Sequence, residues 1–338
     1  MSAFSNNFKD QVKELYNQKC SKFQTDNIYE KNVLPAVDRI IVIGDLHGDF
    51  QKTIQCLKLG KVLEEDKKYD INNPKRYKWI GGETVIVQIG DQIDRCRNLP
   101  CHDPKSTNPD ENSDIKILKF FTDLHVKALK KGGAVYSLVG NHEIMNVVGR
   151  MDYVSYKGIK DFEKEDKYGE KIYENNIPNN VKDLEARKLA FQPGNPLAEY
   201  LACSRKLVLK IGDYLFVHAG ILPIIAEMYP NDTGIEEMNN ILTAYLFDML
   251  DKKEISKHQM LLGPEIVEKE LFSNNIDQST YEISPLWNRK FGRISRSDDI
   301  IQNNEVCSSI FNPIKKIYKV NKMFIGHTPQ SDVINSSC

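Results

Sequence analysis

Short apolar runs, rich in β-branched residues, recur along this chain, and each of the first three stops at a glycine. They are Arg39 to Ile43 (RIIVI) before Gly44, Thr84 to Ile89 (TVIVQI) before Gly90, and Ala134 to Val139 (AVYSLV) before Gly140. Runs of this length and composition predict buried strands. Phe50 to Leu59 and Ile115 to Lys131 have helical spacing instead, and Gly132-Gly133 closes the second as a helix stop. Strands alternating with helices predict parallel βαβ units. A later set, Leu207 to Ile211, Tyr214 to Val217 and Met323 to Ile325, contains the hairpin signal Gly212-Asp213, so its sheet is expected to be mixed.

The rest of the pattern frames this α/β core. Phe8, Val12, Leu15 and Tyr16 recur at helical spacing, which predicts an amphipathic lead-in helix within residues 1–35. Residues 36–338 then form a single catalytic domain, with helical insertions at about 150–200 and 225–285. Pro74 to Trp79 and Pro100 to Asp114 are polar and turn-rich, and the second is expected to form a rim loop. A chain of 338 residues, 41% hydrophobic, can bury a core of this size.

Charge and cysteine content narrow the class. With 46 basic and 47 acidic residues there is no basic excess for nucleic acid. No apolar run reaches the ~20 residues of a membrane span, and the polar start Met1 to Asn7 is no secretory signal, so a cytoplasmic location is expected. Seven scattered cysteines argue against a disulfide framework and for a reducing compartment. Cys96 and Cys101, followed by His102, could form a redox or zinc pair. Free thiols are the favoured reading, because no second Cys/His cluster completes a tetrahedral site.

The chemistry lies at the strand ends, where function collects in parallel sheets. Gly44-Asp45-Leu46-His47-Gly48, Gly90-Asp91-Gln92-Ile93-Asp94-Arg95, Gly140-Asn141-His142-Glu143, Val217-His218-Ala219-Gly220 and Gly326-His327-Thr328-Pro329 all carry metal-binding side chains. Carboxylate, imidazole and amide oxygen together suit Mn, Fe or Zn better than Ca or Mg. Asp45, His47 and Asp91 are assigned to one divalent ion, and Asp91, Asn141, His218 and His327 to a second, with Asp91 as the bridge. Such a pair activates water for in-line attack on a phosphoryl group. His142, next to a ligand, is better placed as general acid, with Asp94 orienting it. Arg95 offers a donor fork to phosphoryl oxygens, Arg289 is the candidate second arginine, and Arg293 follows it. Singly, each segment could be a helix cap or a turn. Six ligand-type residues at five strand ends, holding four of the seven histidines, favour a metal site. His102, His125 and His258 are left as ordinary surface or core histidines.

At these residues the chain resembles the calcineurin-like metallophosphoesterases, and within them the phosphoprotein phosphatases, over about residues 39 to 330. It is most similar to the Shewanella-like branch, through Gly140 to Gly149 with Tyr153-Val154, Phe191-Gln192-Pro193-Gly194, Phe216 to Ile221, and Pro285-Leu286-Trp287-Asn288-Arg289. The resemblance implies an αββα β-sandwich of two mixed sheets flanked by helices, a binuclear centre, and hydrolysis of phospho-Ser, phospho-Thr or phospho-Tyr in proteins by a metal-bridging hydroxide. Two departures stand out. Cys96 occupies a position that is glycine in the family, which makes peroxide sensitivity an expectation. The chain also stops eleven residues after His327, where the family usually continues, so either the tail is shortened or the sequence is a fragment. Two other readings compete: a hydrolase of small phosphate esters or dinucleoside polyphosphates, and a non-catalytic scaffold. The scaffold is disfavoured because every ligand is present.

Overall fold

The computed structural model describes residues 6–21, 31–70, 73–97, 99–160, 183–266, 278–294 and 300–330, together with 334 and 336. The strands are β1 Val33–Leu34, β2 Ile40–Ile43, β3 Leu63–Glu65, β4 Tyr77–Trp79, β5 Val85–Gln88, β6 Ala134–Ser137, β7 Val208–Ile211, β8 Tyr214–Val217 and β9 Lys322–Phe324. The helices used below are α1 Asn6–Cys20, α2 Phe50–Leu59, α3 Asp114–Leu129, α4 Asn141–Val147, α5 Tyr156–Lys160, α6 Asp183–Phe191, α7 Pro196–Ser204, α8 Pro223–Met228 and α9 Asn231–Leu246.

The three glycine-terminated runs form one parallel sheet in the order β2-β5-β6, with Ile40, Val85 and Ala134 in register. All three strands therefore deliver their glycine ends to the same edge. The second sheet, β1-β7-β8-β9, is mixed as expected: β7 and β8 form the Gly212-Asp213 hairpin, while β1 and β9 run parallel to their neighbours.

Side chains that alternate along a strand enter different cores. Val85 and Val87 of β5 pack with Leu209 and Phe216 of the second sheet. Ile86, between them, packs instead with Phe50 and Leu57 of α2 and Phe120 and Leu124 of α3. Likewise Val208, Leu215 and Val217 turn away from the first sheet towards Leu201 of α7 and Met238 of α9. The layers thus run helix, sheet, sheet, helix. Both faces of the central strands are buried, which is why they read as continuous apolar runs.

Four expectations change. Pro74 to Trp79 is not wholly a loop, because β4 pairs antiparallel with β3 and buries Tyr77 and Trp79. Three-residue strands carry too little periodicity to be recognised. The cysteines are not free thiols: Cys20 is bonded to Cys203 and Cys96 to Cys101, and Cys307 is also disulfide-bonded. Among the described residues only Cys56 is free. The premise of a reducing compartment falls with them, since structural disulfides persist in oxidising surroundings. Helices α6, α7 and α9, expected as insertions or caps, contribute Phe191, Leu201 and Ile235 to the main core. The parts of those insertions at 161–182 and 267–277 lie outside the described residues, as do the start at 1–5 and most of the tail beyond 330.

The lead-in helix is present as α1. Val12 is buried, and Phe8, Leu15 and Tyr16 pack beside it. The Tyr16 hydroxyl donates to the Cys203 carbonyl at 3.2 Å, and Lys19 pairs with Glu199. The Cys20–Cys203 bond ties the end of α1 to α7 across 183 residues. No helix among the described residues is long and apolar enough to cross a membrane.

Candidate metal centre and active site

The loops leaving β2, β5 and β6 are bound to one another before any side-chain chemistry is considered. The Leu46 and His47 amides both donate to the Asp91 carbonyl at 2.9 Å. Glu143 accepts from the amides of Gly140 (2.6 Å), Asp91 (3.0 Å) and Gln92 (2.8 Å), which locks the start of α4 to the Asp91 turn. The motif glycines are required by contact as well as by turning. A Cβ on Gly140 would lie 2.1 Å from Asp91 Oδ1, and one on Gly326 would lie 2.2 Å from Asp45 Oδ1. His47, Asp91, Asp94 and His327 all hold positive φ, between 45° and 70°. Non-glycine residues adopt this conformation only when their surroundings enforce it.

Each metal-type histidine has one ring nitrogen on a backbone carbonyl and the other in the cluster. His47 Nδ1 faces Ile93 O at 3.2 Å, His218 Nδ1 faces Ile89 O at 2.8 Å, and His327 Nε2 faces Trp287 O at 3.0 Å. Such a carbonyl partner fixes the tautomer and aims the free nitrogen, as it does around bound metals. The free nitrogens converge on Asp91, which is 2% exposed. Asp91 Oδ2 lies 3.4 Å from His218 Nε2, 3.7 Å from His47 Nε2 and 4.0 Å from His142 Nε2. Asn141 Oδ1 sits 3.0 Å from His218 Nε2 and 2.9 Å from His327 Nδ1.

Two sets of donors result, His47-Asp91-His142 and Asp91-His218-His327, each with its ligand atoms within 4.8 Å of one another. Ligands bound at about 2.1 Å to one ion stand roughly 3 to 4 Å apart, so both sets fit a divalent metal, with Asp91 common to them. Asp45 is placed at the edge. Its carboxylate accepts the His327 amide at 3.1 Å, and its Oδ2 lies 3.8 Å from His47 Nε2.

Burial and mutual charge set the ionisation of the cluster. Burial outweighs Asp91 and pushes His47 down to about 4, and burial with His218 beside it pushes His327 down to about 3, so both rings favour the neutral form that a metal would need. His218 is raised to about 9 because the adjacent Asp91 outweighs burial. Although burial opposes it, the surrounding His218 and His142 hold Asp91 well below the usual carboxylate range.

His142 stands apart from the other imidazoles. Its Nδ1 is 2.7 Å from Asp94 Oδ2, and its ring meets those of His47 and Tyr153 edge-on, at 4.8 and 5.0 Å. Despite burial, Asp91 and the Asp94 hydrogen bond raise its pKa. Its Nδ1 is held by a carboxylate, and its Nε2 faces the centre.

The arginines are less uniform. Arg95 Nη2 pairs with Asp49 at 3.2 Å, and Arg289 Nη1 donates to the His327 carbonyl at 3.2 Å. Arg97 donates to the carbonyls of Asp94 (3.0 Å) and Cys96 (2.7 Å), and its guanidinium lies 5.7 Å from the Tyr153 ring. Sequence reasoning missed Arg97 and Tyr153, and also Asn146 and Arg187 behind Asp94. Asn146 had a signal, since it follows His142 by one helical turn; Arg187 had none. Of the histidines set aside, His125 and His258 are buried and His102 is exposed. Cys96, bonded to Cys101, offers no thiolate, so the expected peroxide sensitivity loses its basis.

Residues 38–331 match the family model of the calcineurin-like phosphoesterases, and the chain belongs to that family. It is a metal-dependent phosphatase. It is 36% identical over 231 residues to an uncharacterized protein of Acanthamoeba polyphaga mimivirus, covering 65% of this chain and 80% of that protein. Over 324 residues it is 26% identical to Shewanella-like protein phosphatase 2 of Arabidopsis thaliana, covering 89% of this chain and 68% of the relative. Among solved structures, a cold-active protein tyrosine phosphatase shares the fold with a TM-score of 0.56 and 19% identity, covering 92% of this chain and 71% of that one.

Proposed function

We propose that the protein hydrolyses phosphomonoesters on phosphorylated Ser, Thr or Tyr of proteins at a two-metal centre. The observation that carries this reading is the position of Asp91, a buried carboxylate shared by two sets of donors. In this reading Asp45, His47 and Asp91 serve one ion, and Asp91, Asn141, His218 and His327 the other. The ions supply charge neutralisation for the phosphoryl group and a water nucleophile at neutral pH. His142 Nε2 gives its proton to the leaving oxygen, while Asp94 keeps the ring cationic and oriented. Arg95 and Arg289 donate to phosphoryl oxygens, and Arg97, facing the same space, is a third donor. The names of the relatives, a protein phosphatase and a protein tyrosine phosphatase, support a protein substrate. Residues 36–338 act as one catalytic domain, with α1 docked against it.

Turnover of phosphoseryl and phosphotyrosyl peptides is to be compared with that of a dinucleoside tetraphosphate, with Mn supplied. Faster hydrolysis of a peptide is expected, and faster hydrolysis of the nucleotide would reject the protein substrate. Asp91→Asn should abolish both activities, and retained activity would remove the shared-carboxylate centre.

A further inference from the structure

Behind Asp94 lies a chain of buried polar groups that runs from His142 to α6. Asp94 is fully buried and its two carboxylate oxygens are used differently. Oδ2 meets His142 Nδ1 at 2.7 Å, and Oδ1 accepts from Asn146 Nδ2 at 2.9 Å. The same Nδ2 also donates to the His142 carbonyl at 3.0 Å, one turn back along α4. The amide oxygen of Asn146 in turn accepts from Arg187 Nε at 2.9 Å. Arg187, on α6, is fully buried; its Nη2 reaches Asp114 Oδ2 at 2.9 Å and Asp94 Oδ1 at 3.7 Å, and its Nη1 donates to the Gly158 carbonyl at 3.0 Å.

The direction of these bonds has a chemical consequence. A guanidinium is a donor only, so the face of Asn146 towards Arg187 must be its oxygen, and the NH2 must then face Asp94. That fixes Asp94 Oδ1 as occupied and leaves Oδ2 to accept from His142 Nδ1–H. The imidazole is thereby held in one orientation, with Nε2 towards the centre. A buried guanidinium is costly to retain unless fully paired, and packing alone would be served as well by an apolar side chain.

We infer that Asn146 and Arg187 are positioning residues that fix the proton-donating geometry of His142 through Asp94. The inference rests on His142 being the proton donor. Neither residue touches substrate; each acts through Asp94.

The test uses the metal-loaded protein and two substrates of nearly equal size, phenyl phosphate and 4-nitrophenyl phosphate. The phenyl ester expels the more basic oxygen, so its cleavage depends more on a well-aimed acid. The readout is the ratio of kcat on phenyl phosphate to kcat on 4-nitrophenyl phosphate, measured on one preparation so that the folded fraction cancels. His142→Asn should lower this ratio at least tenfold, on the order of what a general acid contributes. Asn146→Ala and Arg187→Lys should lower it in the same direction, by about 5- to 50-fold, with KM changed by less than about threefold. Should Arg187→Lys not fold, Asn146→Ala decides alone. If the ratio is unchanged in Asn146→Ala while His142→Asn moves it, the positioning role is overturned and His142 remains the acid. If His142→Asn leaves the ratio unmoved, the reading of His142 fails, and this inference fails with it.

Discussion

Close contact makes the centre unforgiving at the level of single atoms. A methyl group added at Gly140 would fall 2.1 Å from Asp91 Oδ1 and 2.5 Å from its amide nitrogen. Gly140→Ala should therefore displace the shared carboxylate and lower kcat/KM by on the order of 100-fold, the scale of a roughly 1 Å misplacement. Metal content of the purified variant, measured beside activity, checks it; full metal occupancy with normal turnover would contradict it. A second effect lies away from the site. His125 is fully buried between α3 and β6, where burial pushes its pKa down to about 4. Its ring Nδ1 lies 2.6 Å from the Val135 carbonyl and 3.0 Å from the Val135 amide, but burial disfavours the charged form. The unfolded chain protonates this group near pH 6.5 while the folded one resists to about pH 4. Stability is thus fully present above pH 6.5 and is lost as pH falls through that window, by up to about 3 kcal/mol. Thermal melts at pH 7 and pH 5 should show a drop that His125→Gln largely removes. The gathering of Asp45, His47, Asp91, Asn141, His218 and His327 was legible in the sequence because few other settings end five strands in Asp, His and Asn. Arg97 was not, because the left-handed turn at Asp94, φ 70°, decides where the next side chains point. Arg187 is joined to the site only through the fold.

At the scale of elements, the strands were legible to within one or two residues wherever both faces were covered, since continuous β-branched runs have no other stable setting. The β3–β4 hairpin was not, since three-residue strands alternate too few times to show a period. Disulfides were misjudged for a related reason. Pairing depends on Cα separations such as the 5.2 Å between Cys20 and Cys203, which sequence spacing of 183 residues does not reveal. This bond anchors α1 to α7, and neither cysteine belongs to the two donor sets. Cys203→Ser should lower unfolding free energy by about 2–5 kcal/mol while kcat stays near wild type. Denaturant titration with assays on the same samples tests this, and an unchanged midpoint would show that packing of Val12 and Tyr16 suffices to hold the helix.

At the scale of the whole molecule, two sheets and two helical layers hold loops from distant parts of the chain against one another. Alternation of strands and helices made the parallel sheet legible, and the layer order followed only from the family resemblance; the packing of α6, α7 and α9 into the core was not legible, because their apolar residues recur intermittently. The two donor sets bring carboxylate and imidazole together where a bound metal ion would hold them. Chelation should therefore lower Tm as well as abolish turnover, because an ion bound only by the folded state stabilises it by mass action. Calorimetry before and after chelator, with re-addition of Mn, measures it; an unchanged Tm would mean the loops hold without metal. The amide of His327 meets the carboxylate of Asp45 across 282 residues. During synthesis, then, the β2-β5-β6 sheet and the β7–β8 hairpin can be in place well before His327 leaves the ribosome. A nascent chain that has not reached His327 carries most of the phosphatase architecture without that side chain, so under the two-metal reading hydrolysis waits for a residue made 282 positions after Asp45.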